Sequence, residues 1–311
     1  MRIATNAENP GQRVALVTGG THGIGRAVAL ELARGGDRVL LAGRSAERGA
    51  QVVAALGHMR PRTNHSFIHA DLSLLADAAR VAAEVKRNAG RLDAAVFCAG
   101  RLSLIPEWTA EQLERTFVLN YLSRYLLARL LLPLFADAPS GRLVLVANAN
   151  RYGGKLDFDD LQHRRGKPGL NVVGRTQLAN ELLAVELAER LRATCVEVTY
   201  TLPGPIRKGA FRNPHGLPPV VRLSAPVLQC LVAIAPEAAR TPVFLAQDPR
   251  AAGTGGRFYG HDLEPHPVPP WAQRVEWRHR LWAASEDLVR SYLPEGRSAM
   301  DRAAPRRSSG A

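Results

Sequence analysis

Residues 14–26, VALVTGGTHGIGR, set glycines at Gly19, Gly20, Gly23 and Gly25 behind an apolar run rich in β-branched side chains and ahead of an Ala/Leu-rich amphipathic segment. That order reads as a strand, a tight turn and a helix, and it suits one kind of chemistry. Free backbone N–H groups at the helix N-terminus face an incoming pyrophosphate. Gly19 lets the chain reverse, Gly23 lets the backbone approach a ligand, and Gly25 lets the helix pack against the strand. Glycine-rich turns are common by themselves. The strand before, the helix after and a second strand within about thirty residues make this one a nucleotide-binding βαβ unit.

The second strand, over residues 38–42, runs into Gly43 and Arg44. An acid at such a strand end holds the adenosine ribose diol of NAD, whereas an arginine pairs with a 2′-phosphate. Gly43 removes the acid and Arg44 supplies the cation, so NADP(H) is the expected cofactor, with His22 as a helper. The plain alternative for Arg44 is a solvated loop residue.

Further elements must hold that turn in place. A helix over residues 46–56, with alanines at core spacing, leads to a strand over 66–70 and then to Asp71 and Leu72. A helix over 75–86 precedes residues 93–100, a strand closing on the small-residue turn Cys98, Ala99, Gly100. Strands alternating with helices predict an α/β fold: a single Rossmann-type doubly wound parallel sheet with helices on both faces. Its ligand belongs beyond the strand C-termini. The expected organisation is a flexible N-terminus (1–12), one domain that includes the substrate-binding part (13–293) and a polar, Arg/Ser-rich disordered tail (294–311).

Composition narrows the class. With 311 residues the chain can bury a full core. The net charge of +13 comes almost wholly from arginine, since only Lys86, Lys155, Lys167 and Lys208 are lysines. The arginines are spread along the chain with no basic run interleaved with aromatics, which argues against nucleic-acid binding. Cys98, Cys195 and Cys230 are scattered without CxxC spacing, so neither a disulfide framework nor a metal site is expected. No apolar leader region and no stretch near the ~20 apolar residues of a membrane span is read, and a soluble cytoplasmic protein without a membrane partner follows as the expectation.

The motif TGGTHGIG, spanning Thr18, Gly19, Thr21, His22, Gly23, Ile24 and Gly25, resembles the TGxxxGxG cofactor motif of the short-chain dehydrogenase/reductase family. Its spacing to Asp71 and Leu72, to Cys98–Gly100 and to Asn120 fits the same family. The resemblance implies that Asp71 contacts adenine, that the Cys98, Ala99, Gly100 turn supports the sheet, and that Asn120 holds a water or a catalytic lysine. Cys98 stands where that turn usually has asparagine. The likeness runs on through GRLVLVANANRYGGKLDFDDL, the LAN of Leu178, Ala179 and Asn180, the Pro203–Gly204 turn, GGRFYG and RLWAAS, and is similar to the retinol dehydrogenase and protochlorophyllide reductase branch.

That branch uses a serine after strand five and a tyrosine four residues before a lysine, as polariser, general acid/base and pKa-lowering cation. Here the alignment puts Asn148 at the serine position, Val173 at the tyrosine position and Gln177 at the lysine position. No tyrosine in the chain stands four residues before a lysine. His163 with Lys167 has that spacing, but Pro168 and Gly169 break the helix; Tyr125 with Arg129 has it too, on a helix expected to face solvent or a subunit partner. Asn148 can still donate to a carbonyl oxygen, Gln177 can reach a ribose hydroxyl, and Tyr152 or His163 is a candidate proton source. The expected site is therefore Asn120, Asn148 and Tyr152 for chemistry, with Gln177, Pro203 and Gly204 joining the motif residues around the cofactor.

Phe158, Leu170, Phe211 and several prolines, together with the loop near Tyr259, suit a large, mainly apolar substrate. Leu126, Leu130 and Leu134 read as core. The long helices after Asn120 and around Leu182 are candidates for a homodimer or homotetramer interface. Three functions stay open: a divergent NADP(H)-dependent oxidoreductase of specialised metabolism, a non-redox enzyme (cyclase, dehydratase or isomerase) on the same fold, and an inactive NADP(H)-sensing or scaffold protein.

Overall fold

The structure is a computed structural model that describes residues 11–147, 154–203 and 235–294. The N-terminal segment 1–10, the tail 295–311, and Asn148, Tyr152, Gly204, Phe211 and Cys230 lie outside them. Strands β1 (Val14–Thr18), β2 (Arg38–Gly43), β3 (Ser66–His69), β4 (Ala94–Phe97), β5 (Gly141–Val146), β6 (Val196–Thr201), β7 (Phe258–Tyr259) and β8 (Pro265–His266) form one sheet in the order β3-β2-β1-β4-β5-β6-β7-β8. All pairings are parallel except β7 with β8. The order reverses between β1 and β4, so the C-terminal ends of these strands open the crevice where such sheets bind ligands.

β1, β2, β4 and β5 are buried throughout because helices cover both faces. On one side lie α1 (Gly23–Arg34), α2 (Ala46–Met59) and, later in the chain, a helix over Ala235–Gln247. The other side carries α3 (Leu75–Asn88) and α4, which runs from Arg115–Phe117 through a π-helical stretch, Val118–Leu122, into Ser123–Leu131. It also carries α5 (Asn171–Arg190); the helix over Ala235–Gln247 is α6 and the last one, Val275–Val289, is α7.

Several expectations change. The core face of α2 is Gly49, Val52 and Leu56 rather than its alanines, because the Phe67 ring fills the space a Cβ on Gly49 would need. A 21-residue stretch, Arg115–Phe135, is long and apolar enough to cross a membrane, which the sequence reading did not register; its most apolar window is 89% buried within the protein and it forms the central core helix. Leu126 and Leu130 are core as expected, and Leu134 packs on it. Tyr259 itself lies in β7, buried in the sheet, and the loop near it joins β7 to β8.

α7 packs across α4 and α5, and this overturns the reading of Tyr125 and Arg129 as outward-facing. Tyr125 meets Trp282 edge-on at 4.9 Å, Arg129 donates to the Tyr125 hydroxyl at 2.9 Å and pairs with Glu286, and Tyr121 is bonded to Ser285 at 2.6 Å. Arg190 stacks on the Trp282 ring at 3.9 Å. α7 thus covers the Tyr121, Tyr125 and Arg129 side of α4 within the chain itself.

Candidate functional site

The glycine turn is shaped by contact. Gly19 has φ +67°, and a Cβ there would lie 2.8 Å from the Ala99 backbone; a Cβ on Gly25 would lie 2.4 Å from the Gly19 carbonyl oxygen. Only glycine allows the β1 end, the β4 end and the start of α1 to close on one another. Gly23, at φ +55°, has nothing within 4 Å of its Cβ position. His22 offers no side-chain cap to α1, and the first turn holds no acid. Its N–H groups and dipole are thus left for an anion. Thr21 is buried and Ile24 packs on the core below.

At the end of β2, a Cβ on Gly43 would stand 2.9 Å from Thr21 Cγ2. Any side chain there, an acidic one included, would require Thr21 to shift. Arg44 beside it is exposed; its carbonyl accepts from His69 Nε2 at 3.0 Å, and no hydrogen bond or ion pair to its guanidinium occurs among the described residues. Asp71 turns the chain into α3: its Oδ1 accepts from the Ser73 N–H at 3.0 Å and the Ser73 hydroxyl at 2.8 Å, and Arg115 lies 4.0 Å from Oδ2. The Leu72 side chain is core.

The Cys98, Ala99, Gly100 turn is held from below. Ala99 N–H donates to Thr18 Oγ1 at 3.2 Å, and the Ala99 carbonyl accepts from Arg124 Nη2 at 2.8 Å. Burial pushes the Cys98 thiol up to about 12 against the pull of the Arg124 cation, so it is a neutral packing group. Asn120, inside the π-helical stretch, clamps Arg101: its Oδ1 accepts from the Arg101 N–H at 2.8 Å and its Nδ2 donates to the Arg101 carbonyl at 2.9 Å. Nδ2 also reaches Thr176 Oγ1 at 3.3 Å, and the Asn120 carbonyl accepts from Asn180 Nδ2 at 2.8 Å. Asn120 thus ties β4, α4 and α5 together.

On α5, Val173 and Gln177 lie one turn apart, both buried, with Thr176 between them donating to the Val173 carbonyl at 2.7 Å. Val173 has no proton to give. Gly154 crosses α5 so closely that its Cβ would meet the Gly174 carbonyl carbon at 2.4 Å, which places the loop 154–170 over the same helix end. His163 and Lys167 do not form a proton-transfer pair: His163 Nε2 lies 3.0 Å from the Lys167 carbonyl, with φ +55°, and fastens that loop. Pro203 is buried where Leu202 N–H donates to the Tyr259 carbonyl at 2.9 Å.

Two buried arginines on the helices that carry Asn120 and Gln177 escaped the sequence reading. Arg175 pairs with Glu114 in the core and donates to the Leu161 carbonyl at 2.6 Å; Glu114 in turn caps α4 through Thr116 N–H at 2.9 Å and Phe117 N–H at 2.8 Å. Burial lowers the Arg175 pKa while Glu114 opposes the shift. Arg124 is the other. The available signal was position: Arg124 stands one turn after Asn120 and Arg175 two residues before Gln177.

A family model described as short chain dehydrogenase matches residues 13–154. Human dehydrogenase/reductase SDR family member 13 is 36% identical over 282 residues, covering 89% of this chain and 73% of the relative. The chain belongs to the short-chain dehydrogenase/reductase family. Human retinol dehydrogenase 13 is 33% identical across 94% of this chain and 89% of its own length, and mouse polyprenol dehydrogenase is 33% identical across 87% and 82%. Among solved structures, an uncharacterised protein from Mycobacterium paratuberculosis overlays with a TM-score of 0.68 at 24% identity, covering 91% of this chain and 95% of that one. A short chain dehydrogenase from Shigella flexneri complexed with NADP overlays at 0.63 with 22% identity, covering 80% and 97%.

As members of this family use nicotinamide dinucleotides, the fit of this chain's own residues matters. The open Cβ direction of Gly23, the uncapped and acid-free start of α1 and the side-chain-free Gly43 form a cradle that accepts a dinucleotide. Gly19, Gly23, Gly25 and the Cys98–Gly100 turn would hold it.

Proposed function

We propose that this chain is a divergent NADP(H)-dependent oxidoreductase of the cytoplasm and of specialised metabolism. It acts on a carbonyl or alcohol, or on a quinone or enone, carried by a bulky, mainly apolar substrate. One observation carries the cofactor choice: Thr21 crowds the space beside Gly43 against any side chain, an acidic one included, and the next residue is an exposed arginine. An NAD-type carboxylate would have to displace Thr21, whereas a 2′-phosphate meets a cation.

On the substrate side, the Gly169 N–H donates to the Leu104 carbonyl at 2.7 Å, joining two loops that carry Ile105, 42% exposed, and Leu170, 53% exposed. These apolar side chains at the loop junction suit an apolar substrate, and the names of two relatives, retinol and polyprenol dehydrogenase, specify alcohols of that class.

The bound dinucleotide supplies or accepts the hydride. The protein's part is to bind and orient. Asn120 and Asn180 fix α4 against α5, Gln177 offers a neutral amide for ribose hydroxyls, and Asn148 donates to the substrate oxygen. Proton transfer falls to Tyr152, since Val173 carries none. A substrate whose reduction gives a stabilised anion needs this acid least. The aliphatic Val173 and uncharged Gln177 also favour a second reading, a non-redox enzyme or a dinucleotide sensor on the same fold. Calorimetric titration with NADPH and NADH separates them: micromolar NADPH with much weaker NADH, followed by turnover on an apolar carbonyl and quinone panel, supports the oxidoreductase. Binding without turnover supports the sensor. No binding of either cofactor removes the redox reading.

A further inference from the structure

We infer that Arg124 sets this site's preference for the reduced over the oxidised dinucleotide, acting as a fixed charge behind the Cys98–Gly100 turn. The inference rests on the dinucleotide-binding reading above.

Arg124 lies one turn after Asn120 on α4 and is 5% exposed. Its Nη2 donates to the Ala99 carbonyl at 2.8 Å and its Nη1 reaches Asn180 Oδ1 at 3.4 Å; its Nε has no partner among the described residues. Four other buried arginines are matched with carboxylates: Arg129 with Glu286, Arg142 with Glu197, Arg175 with Glu114 and Arg278 with Glu186, while Arg38, at the far end of the sheet, donates to the Asn64 and Asn88 carbonyls. Arg124 has none among the described residues. The ionisable groups near it are the Cys98 thiol and the Tyr200 phenol. The thiol is pushed up to about 12, so it stays neutral at pH 7. Desolvation brings the guanidinium itself down to about 10, which still leaves it charged at pH 7.

A whole positive charge is therefore buried beneath the cofactor turn, and among the described residues it is bonded to amide and carbonyl oxygens and to no carboxylate. Such a charge is costly unless the assembled complex compensates it. The dinucleotide brings phosphates in both redox states, but its nicotinamide ring is cationic when oxidised and neutral when reduced. Arg124 is tied through Asn180 and Asn120 to Thr176, the neighbour of Gln177, so it is built into the α4–α5 contact on which the nicotinamide end of the site depends. Gln177 adds no cation of its own. At an effective dielectric of about 20, a unit charge about 12 Å from a cationic ring shifts such a binding equilibrium by about tenfold. The oxidised form is disfavoured, and the site is poised for reduction of its substrate.

The test needs no substrate. Dissociation constants for NADPH and NADP+ are measured by calorimetry on the full chain for wild type, Arg124→Gln, Arg124→Met and Arg124→Lys, with thermal melts to verify folding. The wild type is expected to bind NADPH about tenfold more tightly than NADP+, the Gln and Met variants to lose most of that ratio, and the Lys variant to keep it. Two neutral replacements, one polar and one apolar, are used so that a variant that fails to fold leaves the other to be measured. An unchanged ratio in a folded neutral variant overturns the inference, as does a Lys variant that falls with the neutral ones. A wild type that binds neither form overturns it together with the dinucleotide reading, whereas an unchanged ratio with intact NADPH binding leaves that reading standing.

Discussion

The Thr21 methyl stands where a side chain at residue 43 would begin: a Cβ on Gly43 would lie 2.9 Å from Thr21 Cγ2. Thr21 is β-branched and buried, so it has little freedom to turn away. Two expectations arise from this contact. Arg44→Ala should weaken NADPH about 10- to 100-fold, the worth of a charge-assisted bond to phosphate, and leave NADH nearly unchanged. Gly43→Asp should lower the melting temperature without creating an NADH site, and Thr21→Ala should recover part of the loss. Calorimetry and thermal melts measure both, and equal loss of NADPH and NADH in the Arg44 variant would sink the 2′-phosphate assignment.

Val173 and Gln177 share one face of α5 with Thr176 between them. Introducing Val173→Tyr with Gln177→Lys should raise NADPH-dependent reduction of a simple aromatic aldehyde by about 100-fold, the low end of general acid catalysis. Val173 is fully buried, so the larger ring should also reduce stability by about 1–3 kcal/mol. Steady-state rates and denaturation curves on the same samples separate the two effects. No gain in rate from a folded variant would mean that the pocket differs at more than these positions.

The buried Glu114–Arg175 pair joins the start of α4 to α5 and, through Leu161, to the loop over the site. Removing one partner leaves an uncompensated buried charge, so Glu114→Gln or Arg175→Met should each cost about 3–5 kcal/mol. The double variant should cost clearly less than the sum. Urea denaturation through a double-mutant cycle measures the coupling, and simple additivity would show that the pair contributes no specific interaction.

His65 accepts from the Val39 N–H at 3.1 Å through Nδ1, and burial together with Arg38 holds its pKa down at about 4. The neutral ring is the native form. Because the folded pKa lies below the unfolded value of about 6.5, protonation favours unfolding. Stability is complete above pH 6.5 and falls as pH drops from there towards 4, by about 3 kcal/mol in all for this group. His65→Asn, which keeps an acceptor in place of Nδ1, should flatten that part of the curve. Chemical denaturation at intervals between pH 7 and 4 measures the slope, and parallel curves for variant and wild type would exclude His65 as its source.

Local sterics and periodicity account for the features that were legible residue by residue. The turn at Gly19, Gly23 and Gly25, the alternation of strands and helices, and the exchange of an acid for Gly43 and Arg44 each depend on a few neighbouring residues. Other features depend on contacts between residues far apart in the chain. The pattern of α4 shows an apolar helix but not that α7 would cover it, because Tyr121 meets Ser285 across 164 residues of chain. The same separation hid the burial of Tyr125 and Arg129. Arg175 and Glu114 are 61 positions apart, and Asn180 and Asn120 are 60 apart. An arginine in a helix is ordinarily a solvated cation; whether it is paired, as Arg175 is, or left among carbonyl and amide oxygens, as Arg124 is, depends on which distant groups the packed sheet and helices bring against it. Burial and charge pairing are properties of the assembled chain, and no local run of residues encodes them.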